Sequence, residues 1–363
     1  MMPHLSCLAV LATVSHVTCS PDPTIPKTMR AVLLTGEVQK EGDFSKVKLV
    51  NDQPVPRPGT GQVLVKVSAS SVNPIDWKIL TPPFYPGPKV MGFDMAGTVV
   101  EVGQGCKRLK VGDEVWADLG KGLGSAGLQL GAWADYAVAD ESQVGLKPSS
   151  LDFKSAASLP LVALTDYQVY KKAGSPWIGR QNLTVVVTSG SGGTGIPAIQ
   201  LAKAYNASHI ITAASAKNSA LLRSLGATMV VDYHKSSIWD VVAQDSVDIV
   251  YDNYGAPGTA DAAMPALRSG GVYAFLPGKN GDISKHPKAG VSQFNFGIVD
   301  PSHHEDLDVL AKFANEGSLK AVLSETFSLD DVVSALNMSS TGHVVGKVSI
   351  DMTEKLVRHS IVV

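Results

Sequence analysis

Cysteine and charge are both scarce in this 363-residue chain. Its three cysteines, Cys7, Cys19 and Cys106, are too few and too scattered for a disulfide scaffold or a four-thiolate zinc site. Charged residues make up 18% of the chain and the formal net charge is −2, so neither nucleic acid nor an anionic membrane surface is an expected partner. With 44% hydrophobic residues, this length predicts a globular protein of two domains that binds small molecules.

Positive charge is missing from the start of the apolar N-terminal stretch. Leu5 to Val14 has the length of the apolar region of a signal sequence, but no Lys or Arg precedes it. Residues 1–28 are therefore either a targeting segment or a disordered extension. The protein would be organellar or secreted in the first case and cytoplasmic in the second. The apolar stretch is too short to cross a bilayer, and we predict no membrane span.

Two patterns of apolar residues divide the rest of the chain. Over residues 29–159, short β-branched runs such as GQVLVKVSASSVN are separated by Gly and Pro, which predicts a β-rich domain. Over residues 160–299, apolar strands alternate with helical segments such as GIPAIQLAKAYN and GTADAAMPALRSG. This alternation predicts an α/β domain with a doubly wound parallel sheet. Residues 300–363 break the alternation, and we expect them to pack back on the first domain.

A glycine-rich stretch, TSGSGGTGIPAIQLAK, lies between the first strand and the first helix of the α/β domain. Gly190, Gly192 and Gly195 fit the pattern G-x-G-x-x-G, which lets the backbone turn sharply and approach a pyrophosphate at a helix N-terminus. A glycine turn without a nucleotide is the alternative. We predict a bound dinucleotide. The residues of the turn expected to contact it are Ser191, Gly192, Gly193, Thr194 and Gly195.

The end of the second strand of this domain favours NADPH over NADH. An NAD site places an acidic side chain about 20 residues beyond the glycine motif, to bind the ribose hydroxyls. The segment HIITAASAKNSALLRSLGA contains no Asp or Glu. It offers Ser215, Lys217 and Arg223, and Tyr233 ends the next strand; a hydroxyl and a cation suit a 2′-phosphate. Alternatively, Lys217 and Arg223 are solvated helix charges. The residues that we assign to the 2′-phosphate end are Ser215, Lys217 and Tyr233.

Six stretches, in this order along the chain, carry a resemblance to a known family: ASSVNPIDWKI, MGFDMAGTVVEVGQGCKRLKVGDEVWA, AASLPLVALTDYQVY, SGSGGTGIPAIQLAKAYNA, SLGATMVVDY and TGHVVGKVSI. From Met29 to Ile350 the chain resembles the medium-chain dehydrogenase/reductase superfamily. The resemblance implies an α/β protein with a GroES-like β-barrel domain over 29–159, a Rossmann domain over 160–299 and a return to the barrel over 300–363. Members of this superfamily are often dimers joined at an edge of the Rossmann sheet, which leaves a homodimer open here.

The positions of the zinc ligands distinguish the branches of this superfamily. Zinc alcohol dehydrogenases carry a Cys where this chain has Asn73 and a His where it has Phe93, and the loop LGKGLGSAGLQLGAW has no cysteine for a structural zinc. A catalytic zinc needs about three Cys, His or carboxylate ligands. The resemblance therefore implies a metal-free member, similar to quinone oxidoreductases and alkenal/enone reductases. We expect Asp76 and Asp94 to hydrogen-bond loops beneath the cleft rather than to bind a metal.

Without zinc, the expected reaction is hydride transfer from NADPH to the β-carbon of an enone or enal, or to a quinone. The enolate that forms is already delocalised, so hydrogen-bond donors suffice. The family pattern places Asn73 beside the nicotinamide, where it orients or polarises the substrate carbonyl. Lys78 is a second candidate donor, with a surface charge as its alternative. Tyr85 is a candidate proton source or aromatic wall, with packing as its alternative.

Other cofactor contacts are implied by the family motifs at the hinge and at the carboxyl ends of the later strands. These residues are Thr165, Gly255, Leu276, Gly278, Phe294 and Phe296. Two other functions stay open. One is an enoyl-thioester reductase, and the other is a non-catalytic protein that binds the nucleotide and serves as a structural or partner-binding module.

Overall fold

The computed structural model describes residues 25–83, 85, 87–122, 131–277 and 281–353. Of the predicted N-terminal segment 1–28, only residues 25–28 fall within these ranges, and Cys7, Cys19 and Gly278 lie outside them.

Strands and helices alternate differently in the two halves of the described chain. The strands are β1 (Thr28–Leu34), β2 (Val47–Pro54), β3 (Gln62–Val72), β4 (Lys89–Val90), β5 (Asp94–Val102), β6 (Glu114–Asp118), β7 (Tyr136–Asp140), β8 (Val144–Leu146), β9 (Thr184–Val187), β10 (His209–Ala214), β11 (Met229–Asp232), β12 (Val247–Asp252), β13 (Leu267–Phe275), β14 (Ser292–Asn295), β15 (Leu323–Ser328) and β16 (Lys347–Asp351). The helices are α1 (Pro74–Lys78), α2 (Phe153–Ala157), α3 (Pro160–Lys172), α4 (Gly195–Ala204), α5 (Ser219–Leu225), α6 (Ile238–Val241), α7 (Thr259–Ala263), α8 (His304–Asn315) and α9 (Val332–Ser340).

Six parallel strands form the sheet of the α/β half, in the order β11-β10-β9-β12-β13-β14. This is the Rossmann strand order, with the reversal between β9 and β12. Along β9, Val185 and Val187 pack in one core cluster with residues of α3, α4 and α8, while Val186 packs in another with residues of α6 and α7. Successive side chains of a strand point to opposite faces, so helices cover both faces and the predicted doubly wound sheet is confirmed.

The barrel half contains two sheets. One has three strands in the order β2-β1-β4; the other runs β15-β16-β3-β5-β6-β8, with β7 also paired to β3. Strand β16 lies antiparallel to β3, with Val348 opposite Val72. The last described segment of the chain therefore returns to the barrel half. The domain boundaries at residues 29, 160 and 300 stay predictions.

One predicted helix is shorter than expected. GTADAAMPALRSG was predicted to be helical throughout, but α7 ends at Ala263 and β13 begins at Leu267. Pro265 lies between them, and a proline ring blocks the helical hydrogen bond at its position and clashes with the preceding turn. Within the described ranges, no helix is both long enough and apolar enough to cross a membrane.

Candidate active site

The glycine-rich turn between β9 and α4 depends on glycine at two positions. The N–H of Gly190 donates to the carbonyl of Ala213 at 3.0 Å, and a Cβ on Gly190 would lie 2.3 Å from Oγ1 of Thr212. A Cβ on Gly195 would lie 1.9 Å from the carbonyl oxygen of Ser189. Any side chain at either position would push the turn away from the sheet, because real Cβ atoms do not approach other atoms this closely.

Gly192 differs from these two glycines because the space beside it is open. The nearest atom to a Cβ on Gly192 would be Oγ of Ser189, at 3.8 Å. Helix α4, ten residues long, follows after Thr194, whose side chain makes no capping hydrogen bond. The first N–H groups of a helix attract anions. The turn therefore fits a pyrophosphate, with Gly192 on the side from which it would approach.

Two side chains at the end of β12 hold this turn in place. Asn253 accepts a hydrogen bond from the N–H of Ser189 at 2.9 Å, and its Nδ2 donates to the carbonyl of Ser189 at 2.9 Å and to Oγ1 of Thr194 at 3.1 Å. Asp252 accepts from Oγ1 of Thr188 at 2.7 Å and from the hydroxyl of Tyr273 at 2.8 Å. The two ends of the turn are thus tied to the neighbouring strand.

Ser215, Tyr233 and His234 meet where β10 and β11 end. Oγ of Ser215 lies 3.1 Å from the hydroxyl of Tyr233 and 3.4 Å from Nε2 of His234. Lys217 is exposed two residues beyond Ser215, and Tyr233 is 54% exposed. Asp232 is a carboxylate close by, and it accepts from the N–H of His234 at 3.2 Å. The predicted 2′-phosphate residues thus lie on one solvent-facing edge, joined by a histidine that sequence reasoning did not single out.

Asn73 is the residue directly before α1 and is fully buried, and both the oxygen and the nitrogen of its side-chain amide are hydrogen-bonded. Its Oδ1 accepts from Nζ of Lys347 at 2.5 Å, and its Nδ2 donates to Oδ2 of Asp94 at 2.7 Å. Its backbone N–H donates to Oδ2 of Asp76 at 2.7 Å. These bonds fix the orientation of the amide, because its oxygen faces an ammonium group and its nitrogen faces a carboxylate.

Asp94 joins the barrel to the first long helix of the α/β half. Besides Asn73, its carboxylate accepts from Oγ of Ser71 at 3.0 Å and from the N–H of Leu161, in the first turn of α3, at 2.8 Å. Asp76 and Asp94 hydrogen-bond the chain around them as expected, but their partners lie in β3, directly before α1 and in α3 rather than in loops beneath the cleft.

Four ionisable side chains are buried around Asn73. Burial raises the pKa of Asp76 to about 8 and also raises the pKa values of Asp94 and Asp118. Burial lowers the pKa of Lys347, while the nearby carboxylates oppose that shift. Of the three carboxyl groups, that of Asp94 accepts the most hydrogen bonds, from Asn73, Ser71 and Leu161. Its Oδ2 lies 3.8 Å from Nζ of Lys347. Asp76 and Asp118 each keep one buried oxygen without a partner. We therefore take Asp94 and Lys347 as the charged pair, while burial favours the protonated forms of Asp76 and Asp118.

The two positions that hold zinc ligands in zinc alcohol dehydrogenases offer no ligand pair here. The side chain of Asn73 is occupied by Lys347 and Asp94, and Phe93, which has no donor atom, packs against Ile79. Among the described residues, no group of three His, Cys, Asp or Glu side chains is arranged to hold a metal ion.

Lys78 and Tyr85 lie in and after α1. Nζ of Lys78 lies 5.7 Å from the centre of the Trp77 ring. Tyr85 is half-buried and packs against the core of the barrel half, as its packing alternative predicts, while its neighbours Phe84 and Pro86 lie outside the described residues. The catalytic roles assigned to Lys78 and Tyr85 stay predictions.

The remaining predicted cofactor residues in the described ranges lie on α3, in β14 or just beyond the ends of strands. Oγ1 of Thr165 donates to the carbonyl of Leu161 within α3 at 2.7 Å. The N–H of Gly255 donates to Oδ1 of Asp252 at 3.0 Å. The N–H of Phe296 donates to the carbonyl of Phe275 at 3.0 Å and is therefore not available to a cofactor.

Two more of these residues lie beside the last strands of the sheet. Leu276 follows β13, and its N–H donates to the carbonyl of Asp252 at 3.0 Å. The ring of Phe294, in β14, lies 4.4 Å from Nζ of Lys172. Their cofactor contacts stay predictions, as does that of Gly278.

Comparisons with known proteins identify the family. A family model described as the GroES-like domain of alcohol dehydrogenase matches residues 59–149, and one described as zinc-binding dehydrogenase matches residues 225–350. A 2-methylene-furan-3-one reductase of Solanum lycopersicum is 35% identical over 334 residues, which cover 90% of this chain and 80% of that protein. The chloroplastic NADPH-dependent alkenal/one oxidoreductase of Arabidopsis thaliana is 34% identical over 342 residues, which cover 92% of this chain and 82% of that protein.

A solved structure agrees with these matches. The quinone oxidoreductase from Coxiella burnetii gives a TM-score of 0.75 at 28% identity, covering 90% of this chain and 99% of that one. The chain belongs to the medium-chain dehydrogenase/reductase superfamily. Within this superfamily it lies in the branch of quinone oxidoreductases and alkenal/enone reductases, and it is a pyridine-nucleotide-dependent oxidoreductase. The predicted family, fold class and enzyme class are confirmed. The match to the zinc-binding dehydrogenase model begins at residue 225 and includes neither Asn73 nor Phe93.

Besides His234, two residues of this superfamily member were missed from sequence. Asn253 lies in YDNYG, directly after β12, where polar residues at a strand end are a general signal for a ligand site. Lys347 lies in GKVSI, a short apolar run in which a single lysine is unexpected, because buried lysines require a partner. This signal marks Lys347 as unusual but does not identify Asn73 as its partner.

Proposed function

We propose that this oxidoreductase reduces the C=C bond of α,β-unsaturated carbonyl compounds, or quinones, with NADPH as the hydride donor and without a metal ion. One observation carries the proposal. The side chain at a zinc-ligand position, Asn73, is an amide held between Lys347 and Asp94. The site thus supplies a fixed hydrogen-bonding group where a zinc enzyme supplies a metal ligand.

The proposed cofactor site lies along the carboxyl ends of the strands of the parallel sheet. The turn Ser191, Gly192, Gly193, Thr194 and Gly195 would bind the pyrophosphate, and Ser215, Lys217 and Tyr233 would bind the 2′-phosphate. When bound, NADPH supplies a hydride from its nicotinamide ring. The residues proposed for the nicotinamide end are Thr165, Gly255, Leu276, Gly278, Phe294 and Phe296.

Asn73 is proposed to stabilise the substrate oxygen as negative charge builds up on it. An amide nitrogen carries two hydrogens, and Asp94 accepts one of them. The other is the donor that Asn73 can offer. Because Asn73 is fully buried, the floor of the cleft must open slightly for this hydrogen to reach a ligand. A well-placed donor of this kind is worth about 2.7–4 kcal/mol of transition-state stabilisation.

The enolate that results takes up a proton. Lys78 and Tyr85 are the proposed sources near α1, since an ammonium and a phenol can both release a proton to an enolate. Asn73 cannot fill this role, because a neutral amide does not transfer protons at ordinary pH.

A substrate panel tests the proposed function. The loss of the NADPH absorbance band is followed with an enone, an enal, a quinone and crotonyl-CoA, each with and without a chelator. We expect turnover of a free enone, enal or quinone that the chelator does not change. Stoichiometric bound zinc, or alcohol oxidation as the sole activity, would contradict the proposal. Turnover of crotonyl-CoA alone would establish an enoyl-thioester reductase, and nucleotide binding without turnover would favour a non-catalytic module.

We also propose a homodimer joined at an edge of the six-stranded sheet. Strands β11 and β14 lie at its two edges, and unpaired strand edges are natural sites for association. Light scattering behind a sizing column measures the mass directly, and a monomer at micromolar concentration would contradict this proposal.

For residues 1–28 we propose organellar targeting. The chloroplastic name of the Arabidopsis relative supports this alternative over a disordered extension. A fluorescent protein fused after residue 28 should enter an organelle, and uniform cytosolic fluorescence would contradict the proposal.

A further inference from the structure

Gly346 and Lys347, at the start of β16, contact both halves of the protein at once. The N–H of Gly346 donates to the carbonyl of Ser191, in the glycine-rich turn, at 2.9 Å. A Cβ on Gly193 would lie 3.2 Å from Cδ of Lys347, so the aliphatic part of this lysine runs directly beside the same turn. The backbone and side-chain carbons of this dipeptide therefore rest on the loop that would bind the pyrophosphate.

The ammonium group of Lys347 lies on the other side, in the barrel half. Its Nζ donates to the carbonyl of Val72 at 2.8 Å and to Oδ1 of Asn73 at 2.5 Å, and it lies 3.8 Å from Oδ2 of Asp94. The residue is 5% exposed. One side chain thus spans the distance between the glycine-rich turn and the Asn73 amide.

We propose that Lys347 is a positioning residue that couples nucleotide binding at the glycine-rich turn to the orientation of the Asn73 amide. This inference rests on the proposed function, because it takes Asn73 as the amide beside the nicotinamide. The oxygen and nitrogen of an amide differ little in size, so packing alone does not choose between its two orientations. Lys347 excludes the flipped one, in which the amide oxygen would face Asp94 and the amide nitrogen would face the ammonium. Movement of the turn on nucleotide binding reaches Asn73 through this side chain.

Substitution of Lys347 has two effects: it removes the contact with Asn73, and it leaves the buried Asp94 without its cation. The experiment must distinguish the first effect from the loss of stability that the second one causes. Breaking one partner of a buried ion pair strongly destabilises a protein, whereas removing both charges is often tolerated. The main variant is therefore the double substitution Lys347→Met with Asp94→Asn, and Lys347→Met alone is its comparison. The matched control is Lys154→Met with Asp351→Asn, which removes an ion pair of 3.3 Å at the other end of β16.

Turnover and binding give the first test, using NADPH and an enone or quinone that the wild type reduces. The double variant should fold, retain its affinity for NADPH and lose kcat by about a hundredfold, the size of effect expected when a reacting group is misplaced by about 1 Å. The control pair should keep wild-type kcat. If the role of Lys347 is only to stabilise the fold, the double variant will have the kcat of Asp94→Asn alone, in which the bond from Lys347 to Asn73 is kept. That result would overturn the inference.

A second test does not depend on turnover. The protein is labelled with ¹⁵N-asparagine, and the side-chain signals of Asn73 are assigned by their loss in Asn73→Ser. Adding 2′-phospho-ADP-ribose, which carries the pyrophosphate and lacks the nicotinamide, should shift these signals in the wild type, and the same addition to the folded double variant should not. Unmoved wild-type signals, or an unchanged response in the variant, would overturn the coupling. A shift in the wild type without reduction of any enone or quinone would support the coupling and contradict the proposed function.

Discussion

The side chain of Asn253 bonds both backbone groups of Ser189, accepting from its N–H and donating to its carbonyl, each at 2.9 Å. Ser189 opens the glycine-rich turn after β9, and Asn253 follows the adjacent strand β12. The turn is therefore held by its own glycines and also by a side chain of the neighbouring strand. This arrangement anchors the two ends of the turn, at Ser189 and Thr194, before a nucleotide arrives, which reduces the ordering cost of binding.

Asn253→Ala should loosen the turn. Three hydrogen bonds to Ser189 and Thr194 are lost, and backbone groups next to the sheet are left unpaired. The free energy of unfolding should fall by about 1–3 kcal/mol, and NADPH should bind more weakly. Urea unfolding and a fluorescence titration with NADPH measure the two effects. Asn295→Ala, which removes only an exposed bond to the N–H of Gly297, is the matched control. An Asn253→Ala protein with wild-type affinity would show that the turn needs no such support.

Gly192→Asp should abolish nucleotide binding while leaving the fold intact. The position is open in the structure, so the side chain fits sterically, but its charge would occupy the space into which a pyrophosphate comes. Gly192→Ala separates size from charge, because a methyl group there would contact only Oγ of Ser189 at 3.8 Å. We expect the alanine variant to bind NADPH more weakly than the wild type but measurably. Equal affinity of the aspartate variant and the wild type would place the pyrophosphate elsewhere.

The Rossmann sheet could be predicted from the sequence because each of its strands is a short run of consecutive apolar residues. Val185, Val186 and Val187 mark a strand covered on both faces, and the glycines after them mark the turn. The alternation of strands and helices also predicts a helix after β12, but Pro265 makes this helix shorter than the alternation predicts.

The sequence alone does not show which residues hydrogen-bond Asn73 or the glycine-rich turn. Lys347 is 274 residues away along the chain, and Asn253 is 64 residues from Ser189. Pairs of this kind exist only once distant strands are placed side by side, here β16 beside β3. A single sequence gives the residue types of such a network but not which residues meet.

Lys217→Ala should weaken NADPH binding by about tenfold, the lower end of what a hydrogen bond to a charged group contributes. Binding of NADH should be unchanged, because NADH has no 2′-phosphate. Parallel titrations with the two nucleotides measure the ratio. Lys312→Ala, which removes an exposed lysine on α8, should change neither value. Equal loss of both nucleotides in Lys217→Ala would indicate a defect in the fold and not in phosphate recognition.

Stability should fall as the pH rises through the range in which Asp76 titrates. Burial raises the pKa of Asp76 to about 8 in the folded protein, whereas an aspartate in the unfolded chain titrates near about 3.9. The folded state therefore holds this proton where the unfolded state has released it. The contribution is complete below the unfolded pKa and is lost as the pH rises through the folded pKa.

Urea unfolding at a series of pH values between about 5 and about 9 measures this dependence. Asp76→Asn keeps an acceptor for the N–H of Asn73 and removes the titration, so its stability should vary less with pH than that of the wild type. The control is Asp282→Asn, which changes an exposed carboxylate. A wild type that becomes more stable between neutral and alkaline pH would contradict a protonated Asp76.

The most direct measurement follows the hydride itself. NADPH deuterated at C4 is reacted with an acyclic enone, once with and once without a chelator, and the position of deuterium in the product is read by NMR. If the chain reduces the conjugated C=C bond without a metal, the deuterium lies on the carbon β to an intact carbonyl. Deuterium on a carbinol carbon, formed only when the chelator is left out, would show metal-assisted carbonyl reduction and contradict the account.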